Sequence, residues 1–238
     1  SKTEKEYALK QLRNKEESVF INSYFKCTYL VKAKEGLDGY KAREEIRKSA
    51  SSLKKLIKSN NHDELVIASS GTYKEAVLDF AEGLLLSSYS FKKYKTQAED
   101  EGKYKYPSRL LIFGDYSLSE IKWINDLTDA VFFVRDLVNE PVNHLNAQAL
   151  ASSIEKTGRS AGFTVEVLTK GKIEALKMGG LLAVNKGSVD PPVFCILEWK
   201  PDKPVNKHPV VLVGKGIVYD TGGLNLKTGD YMSGMNGD

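Results

Sequence analysis

The residues best suited to chemistry lie close together at the end of the sequence, in the stretch Val213–Asp238. These 26 residues include seven glycines, three aspartates and two lysines. So many glycines let the backbone pass close to a ligand. The donor atoms of Lys215, Asp220, Asp230 and Asp238 suit hard or borderline divalent cations better than thiolate chemistry would. Composition alone leaves a second interpretation open, a flexible tail beyond the last strand.

Other kinds of site are disfavoured by motif spacing. The stretch has no G-x-x-x-x-G-K-[ST] motif, and a G-x-G-x-x-G motif fails because Tyr219 occupies its third glycine position. The three histidines, His62, His144 and His208, have no partner at metal-ligand or triad spacing. There is also no G-x-S-x-G motif. Nucleotide binding through these motifs, and serine or cysteine hydrolase mechanisms, are therefore disfavoured.

The elements that would position these residues alternate along the chain between strand and helix. Strand-like runs are Phe25–Lys32, Glu64–Ala68, Arg109–Phe113, Phe163–Leu168, Val193–Trp199 and Pro209–Val213. Helical spacing covers Leu37–Lys58, Thr72–Ser88, Ser119–Asn139, Ala147–Ala161 and Lys172–Met178. This alternation predicts an α/β fold class with a mainly parallel sheet in the second half, whose ligand site lies at the carboxyl ends of its strands. The last predicted strand leads into the glycine-rich stretch.

Local signals add detail to these elements. Ser119 and Asn146 are predicted to be helix N-caps. The charged residues of Leu37–Lys58 are interpreted as a solvated helix face. The Lys- and Tyr-rich stretch Lys92–Tyr106 admits two interpretations, a stacking surface for nucleic acid and a loop or edge strand with solvated lysines, and the second is favoured.

Size and composition set the domain organisation and the class of protein. With 238 residues, 41% of them hydrophobic, the chain can build one large or two ordinary domains, and disorder of the whole is excluded. We predict a small N-terminal α/β domain over residues 1–118, a linking helix over 119–139 and part of a second α/β domain over 140–238.

Charge and hydropathy limit the partners. A net charge of +4 and a pI near 8.8 are modest for a dedicated nucleic-acid binder. No run approaches the length of a membrane span, and the charged N-terminus lacks an apolar signal core, so we expect a soluble, cytosolic protein with no membrane partner. Cys27 and Cys195 each lie in an apolar or aromatic run and are predicted to be buried core thiols.

The glycine-rich stretch resembles the signature of the leucyl aminopeptidase family, the cytosolic two-metal aminopeptidases. The matching residues read K-G-I-x-Y-D-T-G-G-x-x-L-K, followed by M-x-x-M and by an aspartate eighteen positions after Asp220. Upstream, Arg135–Ala151 and Met178–Trp199 also resemble the family, and Ala81–Lys95 does so more loosely. The resemblance implies that residues 140–238 are the N-terminal portion of a mainly parallel-sheet α/β catalytic domain of a metallo-aminopeptidase.

The resemblance assigns roles to five residues. Lys215 would bind one metal ion through its deprotonated amine, Asp220 would bridge both ions, and Asp238 would complete part of the more weakly held site. Lys227 would be the catalytic residue that stays protonated, binds the substrate carbonyl and polarises it. Met235 would line the substrate-binding pocket for the first side chain.

Three neighbours of these residues have other expected roles. Met232 is expected to pack beneath the pocket, and Asp230 to act as a turn or capping carboxylate. Asn236 stands where many members of the family have lysine or arginine, a difference that removes no metal ligand.

The resemblance also implies cofactors and partners. These are two divalent metal ions, Zn²⁺ or Mn²⁺ or both, a bicarbonate held by an arginine of the family, peptide substrates with a leucine-like first residue, and a homohexamer in the cytoplasm. The family's remaining ligands lie beyond the position of Asp238, and one lysine and two aspartates are too few for two ions. We therefore expect the full-length protein to be active and residues 1–238 alone to be inactive.

Two alternative functions remain open. One is a family member that uses its basic N-terminal region to contact nucleic acid, which the modest net charge disfavours. The other is a structural or regulatory relative without catalytic activity. The joint presence of Lys215, Asp220, Lys227 and Asp238 argues against it, because a protein freed from catalysis has no physical reason to keep these residue types at these spacings.

Overall fold

The computed structural model describes residues 2–14, 18–23, 26–32, 38–71, 73–95 and 106–237. They fall into two compact units, Ser1–Phe132 and Phe133–Asp238. The predicted metal ligand Asp238 and residues 96–105 of the Lys- and Tyr-rich stretch lie outside the described residues, as do the first residues of three predicted elements, Phe25, Leu37 and Thr72.

The first unit mixes helices with two strand pairs. Its elements are α1 (Lys2–Arg13), β1 (Ser18–Ser23), β2 (Lys26–Val31), α2 (Gly39–Ser52), α3 (Lys54–Ser59), β3 (Glu64–Ile67), α4 (Glu75–Ser88) and β4 (Arg109–Ile112). Strands β1 and β2 pair antiparallel, whereas β3 and β4 pair parallel with Glu64 opposite Arg109. Helix α4 lies in the crossover that a parallel pair requires.

The core of the first unit is built on the contact between α2 and α4. The two helices come so close at Gly83 that any side chain there would overlap the backbone of Arg47. The buried side chains that form this core are Ala50, Leu53, Ile57, Ile67, Val77, Ala81 and Leu84.

A buried carboxylate also joins α2 to α4. Asp79 is 1% exposed and accepts hydrogen bonds from Arg43 Nε at 3.1 Å and Arg47 Nη2 at 3.0 Å. The hydrogen bond and the negative charge of Asp79 raise the pKa of the Arg43 guanidinium. The interpretation of the charged residues of Leu37–Lys58 as a solvated face therefore fails for Arg47, whose side chain is 22% exposed, whereas the Arg43 side chain is 43% exposed.

The second unit contains the end of α5 and the third strand pair of the described residues. Its elements are α5 (Leu118–Asn139), α6 (Ala147–Ala161), β5 (Thr164–Leu168), α7 (Lys170–Ala175), α8 (Gly179–Asn185) and β6 (Phe194–Glu198), followed by 3₁₀ turns at Gly229–Met232 and Met235–Gly237. Strands β5 and β6 pair antiparallel, with Thr164 opposite Glu198.

These elements confirm the predicted α/β class. Helix Leu37–Lys58 is divided at Leu53 into α2 and α3, and the structure adds α1, β1 and α8, which the sequence patterns did not predict.

The two predicted N-caps have different outcomes. Asn146 caps α6 as predicted, since its Oδ1 accepts the N–H of Ala149 at 2.9 Å. The prediction of Ser119 for α5 is wrong, because Ser117 makes the cap: its Oγ accepts the N–H of Glu120 at 3.2 Å and its N–H donates to the Glu120 carboxylate at 2.8 Å. This reciprocal pair is a capping box.

The strand direction in the second unit differs from the prediction. The alternation of elements predicted a mainly parallel sheet, and the pair that β5 and β6 form in this unit is antiparallel. A parallel pair needs a crossover that returns the chain to the start of the first strand. Residues 169–193, which contain α7 and α8, are long enough for such a crossover, so the length of this connection does not explain the antiparallel direction.

The predicted strand Pro209–Val213 is also wrong for this structure. These residues have no regular secondary structure, and the Val213 side chain is 95% exposed. A strand is stabilised by hydrogen bonds to a neighbouring strand, and in the part of the chain that the structure describes no strand pairs with this segment.

Candidate functional site

The glycine-rich stretch forms a folded loop around Asp220. Gly222, at φ +90°, makes the turn after this aspartate, and a Cβ there would overlap the carbonyl oxygen of Asn225. The turn brings the chain back on itself, since the N–H of Lys227 donates to the carbonyl of Thr221 at 2.9 Å. Glycine is required at position 222 both by its backbone conformation and by this close approach.

The Asp220 carboxylate is the centre of the site. Its Oδ1 accepts the N–H of Gly222 at 2.9 Å, which fixes the direction of the carboxylate. Its Oδ2 lies 3.2 Å from Lys215 Nζ and 3.1 Å from Lys227 Nζ. The side chains of Asp220 and Lys227 are 24% and 28% exposed, whereas Lys215 is 51% exposed. The structure therefore brings the predicted residues Lys215, Asp220 and Lys227 together.

Met235 completes this cluster from the far end of the loop. Its sulfur atom accepts from Lys227 Nζ at 2.8 Å, and its carbonyl accepts the N–H of Asp220 at 3.3 Å. The side chain of Lys227 thus lies between a carboxylate and a thioether. The predicted pocket residue and the predicted catalytic lysine are in contact.

The neighbours of the cluster have the following positions. Asp230 is exposed within the first 3₁₀ turn, where its carbonyl accepts the N–H of Ser233 at 3.1 Å, in keeping with the expected turn role. Met232 is half-buried. The Asn236 side chain donates from Nδ2 to the carbonyl of Val138 at the end of α5. This contact joins residues 98 positions apart, and no spacing in the sequence indicated it.

The donor atoms present fit part of a metal centre. Lys215 Nζ and Asp220 Oδ2 lie 3.2 Å apart, a separation expected of two neighbouring ligands of one ion held at about 2.0–2.2 Å. Among the described residues no group of three or more His, Cys, Asp or Glu side chains is placed to hold a metal ion. Lys215 Nζ and Asp220 Oδ2 are thus placed as two adjacent donor atoms that could contact one divalent ion.

The other side chains considered as candidates for chemistry are a histidine and the two cysteines. His62 Nε2 lies 2.8 Å from the Tyr29 hydroxyl within the first unit. Cys27 and Cys195 are free thiols, and both are half-buried, so the prediction of fully buried cysteines is wrong. Burial raises the pKa of the Cys195 thiol, and the Glu155 carboxylate adds to that effect. No helix within the described residues has both the length and the apolar character needed to span a membrane.

Comparison with protein families and curated sequences gives consistent matches. A family model described as "Cytosol aminopeptidase family, catalytic domain" matches residues 132–238. A "Probable cytosol aminopeptidase" of Sulfurihydrogenibium sp. is 39% identical over 168 residues, which cover 70% of this chain and 33% of that protein. Its counterpart in Chlorobium phaeobacteroides is 36% identical over 222 residues, covering 85% of this chain and 44% of that protein. The chain spans less than half the length of these curated relatives.

Solved structures share the fold. A bottromycin maturation enzyme, BotP, in complex with Mn, matches with a TM-score of 0.74 at 22% identity, over 96% of this chain and 49% of that one. A mutant of tomato leucine aminopeptidase matches with a TM-score of 0.67 at 20% identity, over 79% of this chain and 38% of that one. At these identities the likeness concerns the fold.

Proposed function

The chain belongs to the cytosol aminopeptidase family, whose catalytic-domain model matches residues 132–238. We propose that the full-length protein removes the amino-terminal residue from peptides with the aid of divalent metal ions. The observation that carries the proposal is the convergence of Lys215 and Lys227 on one oxygen of Asp220. The two lysine amines differ in exposure and lie around one carboxylate whose direction is fixed. This arrangement suits a site in which one amine binds a metal ion and the other stays charged.

The metal ligands in this chain are Lys215, Asp220 and Asp238. Lys215 is half exposed, so its amine can lose a proton to solvent as an ion binds. The Gly222 N–H holds Oδ1 of Asp220, so the carboxylate keeps one direction before any ion arrives. When bound, two such ions supply Lewis acidity and an activated water.

Lys227 is the substrate-binding and catalytic residue. Its ammonium nitrogen lies 3.1 Å from Oδ2 of Asp220. A fixed positive charge can polarise a scissile carbonyl and stabilise the oxyanion that develops from it. Met235 packs against this lysine and lines the pocket for the first side chain of the substrate.

Finer assignments of cofactors, substrate and assembly belong to the same proposal. The ions are Zn²⁺ or Mn²⁺, with bicarbonate as a base in the full-length protein, and the preferred first residue is leucine-like. The full-length protein is a cytoplasmic homohexamer. Residues 1–238 alone are inactive, because Lys215, Asp220 and Asp238 provide fewer donors than two ions require.

The direct test uses the full-length protein stripped of metal with a chelator and then given Zn²⁺ or Mn²⁺. We expect it to hydrolyse a leucine anilide only when metal is restored, and to leave the N-acetylated anilide intact because an aminopeptidase needs a free amine. Hydrolysis by the metal-free protein, or equal hydrolysis of the acetylated substrate, would contradict the proposal.

A further inference from the structure

We propose that Asn236 is a positioning residue that fastens the loop carrying Asp220 to the C-terminal end of α5. The inference rests on the proposed function, because the loop that Asn236 holds carries Asp220, the residue at the centre of the proposed site. It starts from one long-range contact, the hydrogen bond that Asn236 Nδ2 donates to the carbonyl of Val138.

The end of α5 offers an acceptor that this contact satisfies. The last four carbonyls of a helix have no partner within the helix. In α5 the N–H of Glu140 donates to the carbonyl of Leu137 at 3.2 Å, and the next carbonyl, that of Val138, accepts from Asn236. The asparagine therefore acts as a C-terminal cap supplied from a distant part of the chain.

The residue after the asparagine strengthens the same contact. A Cβ at Gly237 would lie 3.2 Å from Val138 Cγ1, so the backbone of the loop lies directly against this valine. A hydrogen bond and a close apolar contact thus meet at one residue of α5.

Met235, the residue before Asn236, connects this contact to the site. The carbonyl of Met235 accepts the N–H of Asp220 at 3.3 Å, and the sulfur of Met235 lies 2.8 Å from Lys227 Nζ. Adjacent residues 235 and 236 therefore contact the proposed metal ligand on one side and a long helix on the other. Release of Asn236 would free Met235 and, with it, the backbone of Asp220.

Residues 210–215, which precede Asp220, contribute less to holding the loop in position. Val210, Val211, Leu212 and Val213 are 73 to 95% exposed, and Lys215 is half exposed. A loop that enters the site through exposed residues depends on its other end for a fixed position. The cap on α5 provides that position through a rigid element.

The first experiment measures hydrogen exchange by mass spectrometry in the full-length protein. The variant Asn236→Leu keeps the side-chain size and removes the donor, and Asn225→Leu is the matched control, an exposed asparagine on the same loop. We expect the peptide that contains Asp220 to exchange about 2- to 10-fold faster in Asn236→Leu, the range for loss of one hydrogen bond, and unchanged in Asn225→Leu. Asn236→Gln, which keeps the amide donor, should restore part of the protection. Unchanged exchange in Asn236→Leu, or equal acceleration in the control, would overturn the proposal.

The second experiment separates positioning from stability. We expect kcat for a leucine anilide to fall by about 10-fold in Asn236→Leu, with KM and the thermal midpoint nearly unchanged, because misplacement of a catalytic group costs rate. A fall in the midpoint with unchanged kcat would overturn the positioning role. If Asn236→Leu does not fold, Asn236→Ser repeats both measurements with a side chain too short to reach α5. An absence of activity in the unmodified protein refutes the proposed function, whereas the exchange experiment still decides the role of Asn236.

Discussion

Lys227 Nζ lies 3.1 Å from Oδ2 of Asp220, the residue seven positions before it, and the turn at Gly222 makes this contact. Lys215 Nζ approaches the same oxygen at 3.2 Å but is nearly twice as exposed as Lys227. The two lysines therefore have different surroundings around one carboxylate, and this difference is the basis for assigning them different roles.

Exchange of each lysine for methionine tests that assignment. Lys227→Met should retain bound metal and lower kcat by about 10² to 10³, the usual cost of losing one oxyanion donor. Lys215→Met should lose metal, because it removes a proposed ligand. Metal analysis of the purified full-length variants, together with kcat, distinguishes the two. Loss of metal from Lys227→Met with retention in Lys215→Met would mean that the roles are reversed.

The turn after Asp220 should not tolerate a side chain. The Cβ of Gly222→Ala would overlap the Asn225 carbonyl, and the alanine would also need a left-handed backbone conformation. Gly223→Ala needs the left-handed conformation but creates no overlap, because a Cβ at position 223 meets nothing within 4 Å. We expect Gly223→Ala to cost about 1–2 kcal/mol locally and to remain active. Gly222→Ala should lose nearly all activity. Equal activity of the two variants would show that the turn does not position Asp220.

The buried carboxylate of the first unit should be important for stability. Asp79→Ala would remove the carboxylate that pairs with Arg43 and one of the two α4 carboxylates that pair with Arg47, the other being Glu82. Breaking a buried ion pair costs about 3–5 kcal/mol, and the partial exposure of both arginines lowers our expectation to about 2 kcal/mol. Lys48→Ala, at the exposed pair with Glu45, should cost less than about 0.5 kcal/mol. Urea unfolding measures both, and equal midpoints would refute this account of Asp79.

The capping box predicts a pH-dependent contribution at the start of α5. Ser117→Ala should destabilise the protein by about 1 kcal/mol, whereas Ser119→Ala should have little effect. The Ser117 N–H and hydroxyl lower the pKa of Glu120. A carboxylate whose pKa is lowered by folding stabilises the folded state above its ordinary pKa, and this contribution disappears as the pH falls through the lowered value. Thermal melts of both variants should show a larger difference at neutral than at acidic pH, because protonation of Glu120 weakens its bond to the Ser117 hydroxyl, whereas the bond from the Glu120 N–H to Ser117 Oγ persists. A Ser119→Ala effect that exceeds the Ser117→Ala effect would contradict the assignment.

Local signals predicted the fold well, and contacts between distant residues were missed. The cap at Asn146 is predictable because the cap and its helix are adjacent in sequence, and the box Ser117-x-x-Glu120 is a local signal of the same kind. The break at Leu53 was not predicted, since helical spacing continues across it. The partners of Arg43 lie 36 residues away, and the partner of Asn236 lies 98 residues away.

The candidate site was predicted through family resemblance and not through periodicity. The structure brings Lys215, Asp220, Lys227 and Met235 together. Composition alone left a flexible tail as an alternative for the same residues. The apolar run Pro209–Val213 was predicted as a strand from its own residues, but a strand also needs a partner, which its sequence does not specify.

The most direct test of the central claim compares Asp220→Asn with Asp230→Asn in the full-length protein. Both substitutions remove one carboxylate charge from the same loop, and only Asp220 contacts both Lys215 and Lys227 in the described structure. Metal content and hydrolysis of a leucine anilide are measured for each variant at saturating Zn²⁺ or Mn²⁺. We predict that Asp220→Asn loses bound metal and at least about 10³ in kcat, while Asp230→Asn stays within about twofold of the unmodified protein. Full activity and full metal content in Asp220→Asn would contradict the assignment of this loop as the metal and catalytic site.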